Sequence, residues 1–255
     1  MLIVAKILIG FVVGTLIGMT GVGGGVLLLP IHIFVLRVPP ITAVGSDALF
    51  NFLTRMGSSY VHLTRGTVKR KLVVSLALGS IPGSILGVGL LRHLRSLYGS
   101  GVNTFITTAV GILLIVVPTL LMFQTQIEEH VTHRPPTLKS LVGISLIGLL
   151  AGFLVGMTSV GSGSIIMLLL LLFYSFLPKV MVGTDIVHGV LLTGVTSFLH
   201  FKLGNVDPYL VASLVIGSIP GGLLGSHLST RMPVPWLRRI LCAALLATGA
   251  RMLWA

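Results

Sequence analysis

The chain has 255 residues, of which 54% are hydrophobic and only 9% charged, with a formal net charge of +12. A soluble domain of ordinary composition carries about 25% charged residues, and the mean hydropathy here is +1.07, so a soluble globular domain is excluded. A nucleic-acid role for the positive balance is excluded too, because the basic residues cluster at the ends of apolar windows, as in TRGTVKRK (64–71) and RMPVPWLRR (231–239). That placement is what the cytoplasmic leaflet selects.

In chain order, the apolar windows run 2–19, 41–63, 72–91, 105–122, 141–157, 181–201, 209–228 and 236–254. Each can cross a hydrocarbon core of about 30 Å as an α-helix. Two shorter apolar runs, 22–36 and 165–177, follow glycine-rich interruptions. The alternation of a membrane β-barrel is missing. The expected fold is therefore all-α and polytopic. The opening MLIVAKILIGFVVG looks superficially like a signal peptide, but no A-x-A site follows it. It is expected to remain in the mature fold. The single Cys242 excludes an intramolecular disulfide and a cysteine metal cage.

Adding 138 to a residue number in the first half lands on a related residue in the second. GMTGVGGG (18–25) maps to GMTSVGSG (156–163), VGSD (44–47) to VGTD (182–185), and GSIPG (79–83) to GSIPG (217–221). His62 maps to His200. The organisation read from this is a first transmembrane repeat, 1–123, a polar linker, 124–140, and a second repeat, 141–255, each with four to five hydrophobic segments. Such repeats are typical of secondary transporters. Putting the loops 64–71 and 231–239 on one side places more positive charge inside than a parallel arrangement does. That balance favours inverted repeats, with parallel repeats as the alternative.

The duplicated glycine stretches interrupt helices at membrane depth. Backbone groups freed there are tolerated only where protein or a water-filled cavity satisfies them. A segment restarting after such a break presents free N–H groups and a positive dipole end, which suits an anion. On that reading Thr20, Gly21, Gly23, Gly24, Thr158, Ser159 and Ser162 are substrate-binding candidates. The competing reading is close helix crossing at small residues, and it is preferred for Gly14, Gly18, Gly79, Gly83 and Gly87.

A polar stripe follows. Asp47, Asn51, Arg55, Ser58 and His62 fall within an arc of about 80° on one helix face. The second copy supplies Asp185, His188, Thr196 and His200, with Thr193 where Arg55 stands. Ser46 and Thr184 are expected as N-caps of these helices. An ionisable group in mid-span costs roughly 2.5 kcal/mol or more, so it usually faces a pathway. Asn51, Arg55, Ser58 and Thr193 are taken as substrate-binding, and Asp47, His62, Asp185, His188 and His200 as coupling or gating residues. Arg55 either offers its planar fork to an oxyanion or pairs structurally with Asp47 or Asp185.

With the duplicated break, VGSD/VGTD, and a histidine followed four residues later by glycine (HLTRG, HFKLG), the chain resembles the TauE/SafE sulfite exporter family over Leu8 to Ser229. The resemblance implies a bacterial or archaeal inner-membrane permease for sulfur-containing anions such as sulfite, thiosulfate or sulfoacetate. GNVDP (204–208) fits the family's glycine–valine–acid pattern, whereas the first half departs with GTVKR (66–70). The functional expectation is a secondary carrier for a small anion in the lipid bilayer, using no cofactor, no metal and no nucleic acid. Proton and sodium are the candidate coupling ions, and a homo-oligomer is left open. An anion channel with the same pore is the alternative. An intramembrane enzyme is remote, because no H-E-x-x-H or G-x-S-x-G motif occurs.

Overall fold

The structure is a computed structural model. It describes residues 3–20, 24–122, 138–173, 178–228 and 234–254. Among these no strand occurs. The elements are α1 (Ile3–Thr20), α2 (Gly24–Pro30) continued by a π-helical turn (Ile31–Val35), α3 (Pro40–Thr64), α4 (Arg70–Tyr98), a 3-10 turn (Gly99–Gly101), α5 (Val102–Met122), α6 (Leu138–Thr158), α7 (Ser164–Phe173), α8 (Pro178–Lys202), α9 (Pro208–Leu228) and α10 (Val234–Trp254). Over its described residues, each of the eight long windows marked in the sequence is helical. Most of the linker expected at 124–140 lies outside the described residues, and its last three residues already belong to α6.

The stretches Arg70–Met122, Leu141–Thr158, Val180–Lys202 and Pro208–Gly225 are long and apolar enough to cross a membrane. Many of the side chains they expose are apolar, among them Leu78, Leu86, Leu146, Leu150, Ile216 and Leu223. A water-facing surface would not carry so much contiguous apolar area. The chain is a polytopic α-helical membrane protein.

Without a hydrophobic drive between helices in lipid, association depends on close packing of small residues. The glycines of α4 and α6 show how. Gly79, Gly83 and Gly87 lie against the carbonyls of Ser145, Leu149 and Phe153, and Gly148, Gly152 and Gly156 lie against Leu76, Ser80 and Ser84. Both series rise together, so α4 and α6 run parallel. In α1 and α9, Gly10 and Gly14 meet Leu214 and Ser218, while Gly217, Gly221 and Gly225 meet Ile7, Phe11 and Thr15. That pair is parallel as well. The packing role expected for Gly14, Gly79, Gly83 and Gly87 is what these contacts describe.

The middle of the bundle is the pair α3 and α8, and here the direction reverses. Gly45 lies against Asn205 and His200, Gly194 against the Phe52 ring, Gly189 against Arg55, and Gly183 against Thr67 and His62. One series rises as the other falls, so α3 and α8, whose sequences are related by the 138-residue offset, are antiparallel. The same holds for α5 and α10, where Gly111 meets Met252 and Leu253 while Gly249 meets Leu114 and Ile115.

Helix starts correct one expectation. Ser46 and Thr184 do not cap α3 and α8, which begin a turn and a half earlier at Pro40 and Pro178. Proline suits that first position because its missing N–H would be unpaired there anyway. The two hydroxyls are used across the bundle instead. Ser46 Oγ accepts the backbone N–H of Asp207 at 2.9 Å, and Thr184 Oγ1 accepts that of Lys69 at 3.1 Å. They satisfy the amides just before α9 and α4, each in the other half of the chain.

Candidate functional site

Two short helices, α2 and α7, restart beside the α3–α8 crossing. Gly21 and Gly23 lie outside the described residues, as does the Thr20 side chain, so the first break is seen only from Gly24 onward. The second break is complete. After Thr158 the chain turns through Ser159, at φ 56°, and Gly161, at φ 94°. A non-glycine residue at positive φ is uncommon and costs strain that its surroundings must hold in place. Ser159 is held by a hydrogen bond that its Oγ donates to Asp47 Oδ2 at 2.7 Å.

Asp47 is fully buried. Its Oδ2 also accepts from Asn51 Nδ2 at 2.9 Å, and its Oδ1 has no hydrogen-bond partner. At Gly25, one residue into α2, a Cβ would lie 2.8 Å from Asp47 Oδ2, and at Gly24 one would lie 2.8 Å from Asn51 Oδ1. Glycine is needed here for close approach. Gly24 is among the candidates the sequence marks and Gly25 is not, although Gly25 has Gly163 as its counterpart in the repeat.

The second half builds a related but charged arrangement. Arg55 reaches across from α3 to α8 and sits 3.3 Å from Asp185 Oδ2. The same Nη1 lies 3.4 Å from the Asp185 carbonyl oxygen, and Nη2 donates to Ser162 Oγ at 3.3 Å. A Cβ at Gly163 would lie 2.8 Å from Arg55 Nη2 and 3.0 Å from Asp185 Oδ2. Gly189 packs directly on the guanidinium. Of the two acidic partners open to Arg55 in the sequence, the structure brings Asp185. Each carboxylate therefore stands where a helix restarts: Asp47 at α2 and Asp185 at α7.

His188 and Thr193 complete the buried group. His188 Nε2 is 2.7 Å from Ser80 Oγ, and its Nδ1 has no partner. Thr193 Oγ1 donates to the Gly189 carbonyl at 2.6 Å. Thr158 Oγ1 donates to the Leu154 carbonyl at 2.7 Å and accepts the Val160 amide at 3.2 Å. Ser84 and Thr196 share a bond of 2.7 Å. Ser80 and Ser84 were not singled out in the sequence. Their spacing on α4 is the small-residue packing pattern, and nothing in it distinguishes a hydroxyl that reaches His188 from one that merely fills space.

The stripe on α3 does not act as one unit. Asp47 and Asn51 face α2, Arg55 faces α8, and Ser58 is exposed. His62 lies at the far end, with Nδ1 2.9 Å from Thr67 Oγ1. His200 holds the matching place on α8, its Nε2 3.0 Å from the Gly156 carbonyl and its Nδ1 3.4 Å from Asn205 Nδ2. The centre is closed: Asp47 is 0% exposed, Asn51 2%, Asp185 4% and His188 0%. Among the described residues no cluster of His, Cys, Asp and Glu suited to a metal occurs.

The family model for the sulfite exporter TauE/SafE matches residues 6–252. "Probable membrane transporter protein YjnA" of Bacillus subtilis is 37% identical over 98% of this chain and 99% of its own length. "Probable membrane transporter protein YunE" of the same organism is 26% identical over 98% of this chain and 97% of its length. A third relative, "Probable membrane transporter protein MJ0441" of Methanocaldococcus jannaschii, is 25% identical over 97% and 94%. No solved structure matches the chain. The glycine breaks, the paired VGSD and VGTD segments and a family match running from α1 to α10 agree on one conclusion: this chain belongs to the TauE/SafE sulfite exporter family.

Proposed function

We propose that the chain is a secondary transporter for small sulfur-containing oxyanions or organosulfonates, such as sulfite, thiosulfate or sulfoacetate, in the inner membrane of its cell. The family match and relatives named as membrane transporters support the transport reading over an intramembrane enzyme. The antiparallel packing of α3 on α8 and of α5 on α10 supports two inverted repeats, whose shared interface is where transporters of that kind bind substrate.

The observation that carries the substrate class is the Arg55–Asp185–Ser162 group at the start of α7. A buried guanidinium is held by a single carboxylate oxygen at 3.3 Å, well short of the close two-oxygen fork that arginine makes with its best partners. A substrate oxyanion has the charge and geometry to replace Asp185 at Arg55 and at the α7 start, taking the Ser162 hydroxyl as a further donor. Asp185 is then the residue whose displacement couples binding to a change of state. Asn51, Thr158, Ser159 and Thr193 line the same buried region and serve its orientation, while Asp47 and His188 are the groups through which a coupling proton or sodium ion acts. The closed centre favours alternating access over a standing channel.

The test is reconstitution into proteoliposomes with labelled sulfite, thiosulfate, sulfoacetate and sulfate. Saturable flux of at least one, competed by the others in proportion to their fit, is expected. Flux that never saturates makes the protein a channel, and no flux of any of the four removes the sulfur-anion reading.

A further inference from the structure

A second basic site lies away from the centre, at the end of the bundle where α3 begins and α4 ends. Ile41, Arg92, Arg95, Ser96, Leu203 and Asn205 enclose a cleft of about 290 Å³. No carboxylate lines it. The ion pair between Arg55 and Asp185 involves neither arginine of the cleft, and with no carboxylate in its lining Arg92 and Arg95 bring two positive charges to one opening. They are three residues apart on α4 and so share a helix face.

One of the two is aimed by buried groups. Arg95 Nη1 donates to Asn205 Oδ1 at 2.7 Å, and Asn205 is only 2% exposed. A guanidinium has donors only, so the amide orientation follows: the oxygen meets Arg95 and Nδ2 meets His200 Nδ1 at 3.4 Å. Nδ1 is then the acceptor, the imidazole proton sits on Nε2, and Nε2 donates to the Gly156 carbonyl at 3.0 Å. Each bond in the series has a donor matched to an acceptor, with no reversal available. The series fixes Arg95 in a set direction while leaving its other N–H groups for a ligand.

We propose that this cleft is a binding site for a tetrahedral oxyanion, gripped by Arg92 and Arg95 and oriented through Asn205. It stands on the cleft alone and survives if the central site proves to be something else. A free oxyanion and the phosphate of an anionic phospholipid offer the same chemistry, and the experiment separates them.

The experiment uses the full chain carrying Arg55→Gln and Asp185→Asn, which removes the central charges together, in phosphatidylcholine nanodiscs titrated with radiolabelled sulfate. Binding is expected to persist, and adding Arg92→Gln and Arg95→Gln is expected to weaken it by about tenfold or more. Both arginines are exposed, so a matched melting temperature is expected to confirm that the variant folds. Equal affinity with and without the two arginines overturns the proposal. Repeating the titration with phosphatidylglycerol in the disc identifies the occupant. An apparent Kd that rises only when both arginines are present makes it the headgroup, and an unchanged one makes it the free oxyanion. Loss of sulfate binding on neutralising Arg55 and Asp185 alone, with no further effect at Arg92 and Arg95, places all binding at the centre and also overturns the cleft.

Discussion

Removing Arg55 separates a ligand-holding role from a purely architectural one. Arg55→Ala deletes three long bonds of 3.3 to 3.4 Å, two to Asp185 and one to Ser162. Bonds of that length are individually weak. The larger effect is on what is left behind: Asp185 is 4% exposed, its Oδ1 already lacks a partner, and Oδ2 then loses its cation. Stranding one member of a buried pair costs about 3 to 5 kcal/mol. The long contact and the 11% exposure of the Arg55 side chain put this case at the low end, at about 3 kcal/mol. For a chain of this size that corresponds to a fall of roughly 6 to 12 °C in Tm. Arg55→Ala with Asp185→Asn replaces the stranded charge by a neutral amide and is expected to recover most of that loss. Transport is expected to behave differently. If an oxyanion takes the place of Asp185 at Arg55, both variants lose flux, and the double variant is stable but inactive. The measurements are Tm in detergent and uptake of labelled sulfite into proteoliposomes for the wild type, both single variants and the double variant. A double variant with restored stability and wild-type flux refutes the anion-holding role.

Further outcomes follow from other contacts. Gly163→Ala places a Cβ 2.8 Å from Arg55 Nη2 and 3.0 Å from Asp185 Oδ2; it is expected to abolish saturable sulfite flux while size-exclusion profiles stay normal. Gly83→Val drives a side chain into the Leu149 carbonyl and is expected to cost about 3 kcal/mol, seen as a lower Tm and poorer yield. Ser46→Ala and Thr184→Ala each remove one acceptor from a helix start and are expected to cost about 1 kcal/mol, or roughly 2 to 4 °C in Tm. Cysteines at the exposed, offset-related positions Thr64 and Lys202 are expected to label from opposite faces of intact cells, and labelling from one face rejects the inverted arrangement.

The helices and the candidate site were legible to different depths. Among the described residues the helices coincide with the apolar windows and runs, because in lipid the backbone has no other stable choice. The starts of α3 and α8 were misplaced because Ser46 and Thr184 look like caps, while the stronger signal, proline at Pro40 and Pro178, sat six residues earlier. The partner of Arg55 was not legible. Asp47 is two turns away on the same helix and Asp185 is 130 residues distant in sequence. Only the antiparallel crossing of α3 and α8 decides between them. The helical stripe put Asp47, Asn51 and Arg55 on one face, but periodicity describes one helix: Asn51 bonds Asp47 while Arg55 reaches Asp185 on α8, and Ser58 is exposed. Gly25 and Gly189 escaped notice because their importance comes from what approaches them, and sequence does not record approach.

The exchanged hydroxyls at the helix starts bear on how the protein is made. The amide of Lys69 waits for Thr184, 115 residues further along, and Ser46 waits for Asp207, 161 residues on. While the ribosome is still producing the second half, α4 stands with an incomplete start and α3 with an idle acceptor. Neither half can make these two bonds alone, so insertion of α8 and α9 is also the step that completes them. A half-length chain would meet the same requirement only by joining a second copy of itself in the opposite orientation. Damage late in the sequence is therefore felt early in it: truncation after α7 removes the acceptor that Thr184 gives the start of α4.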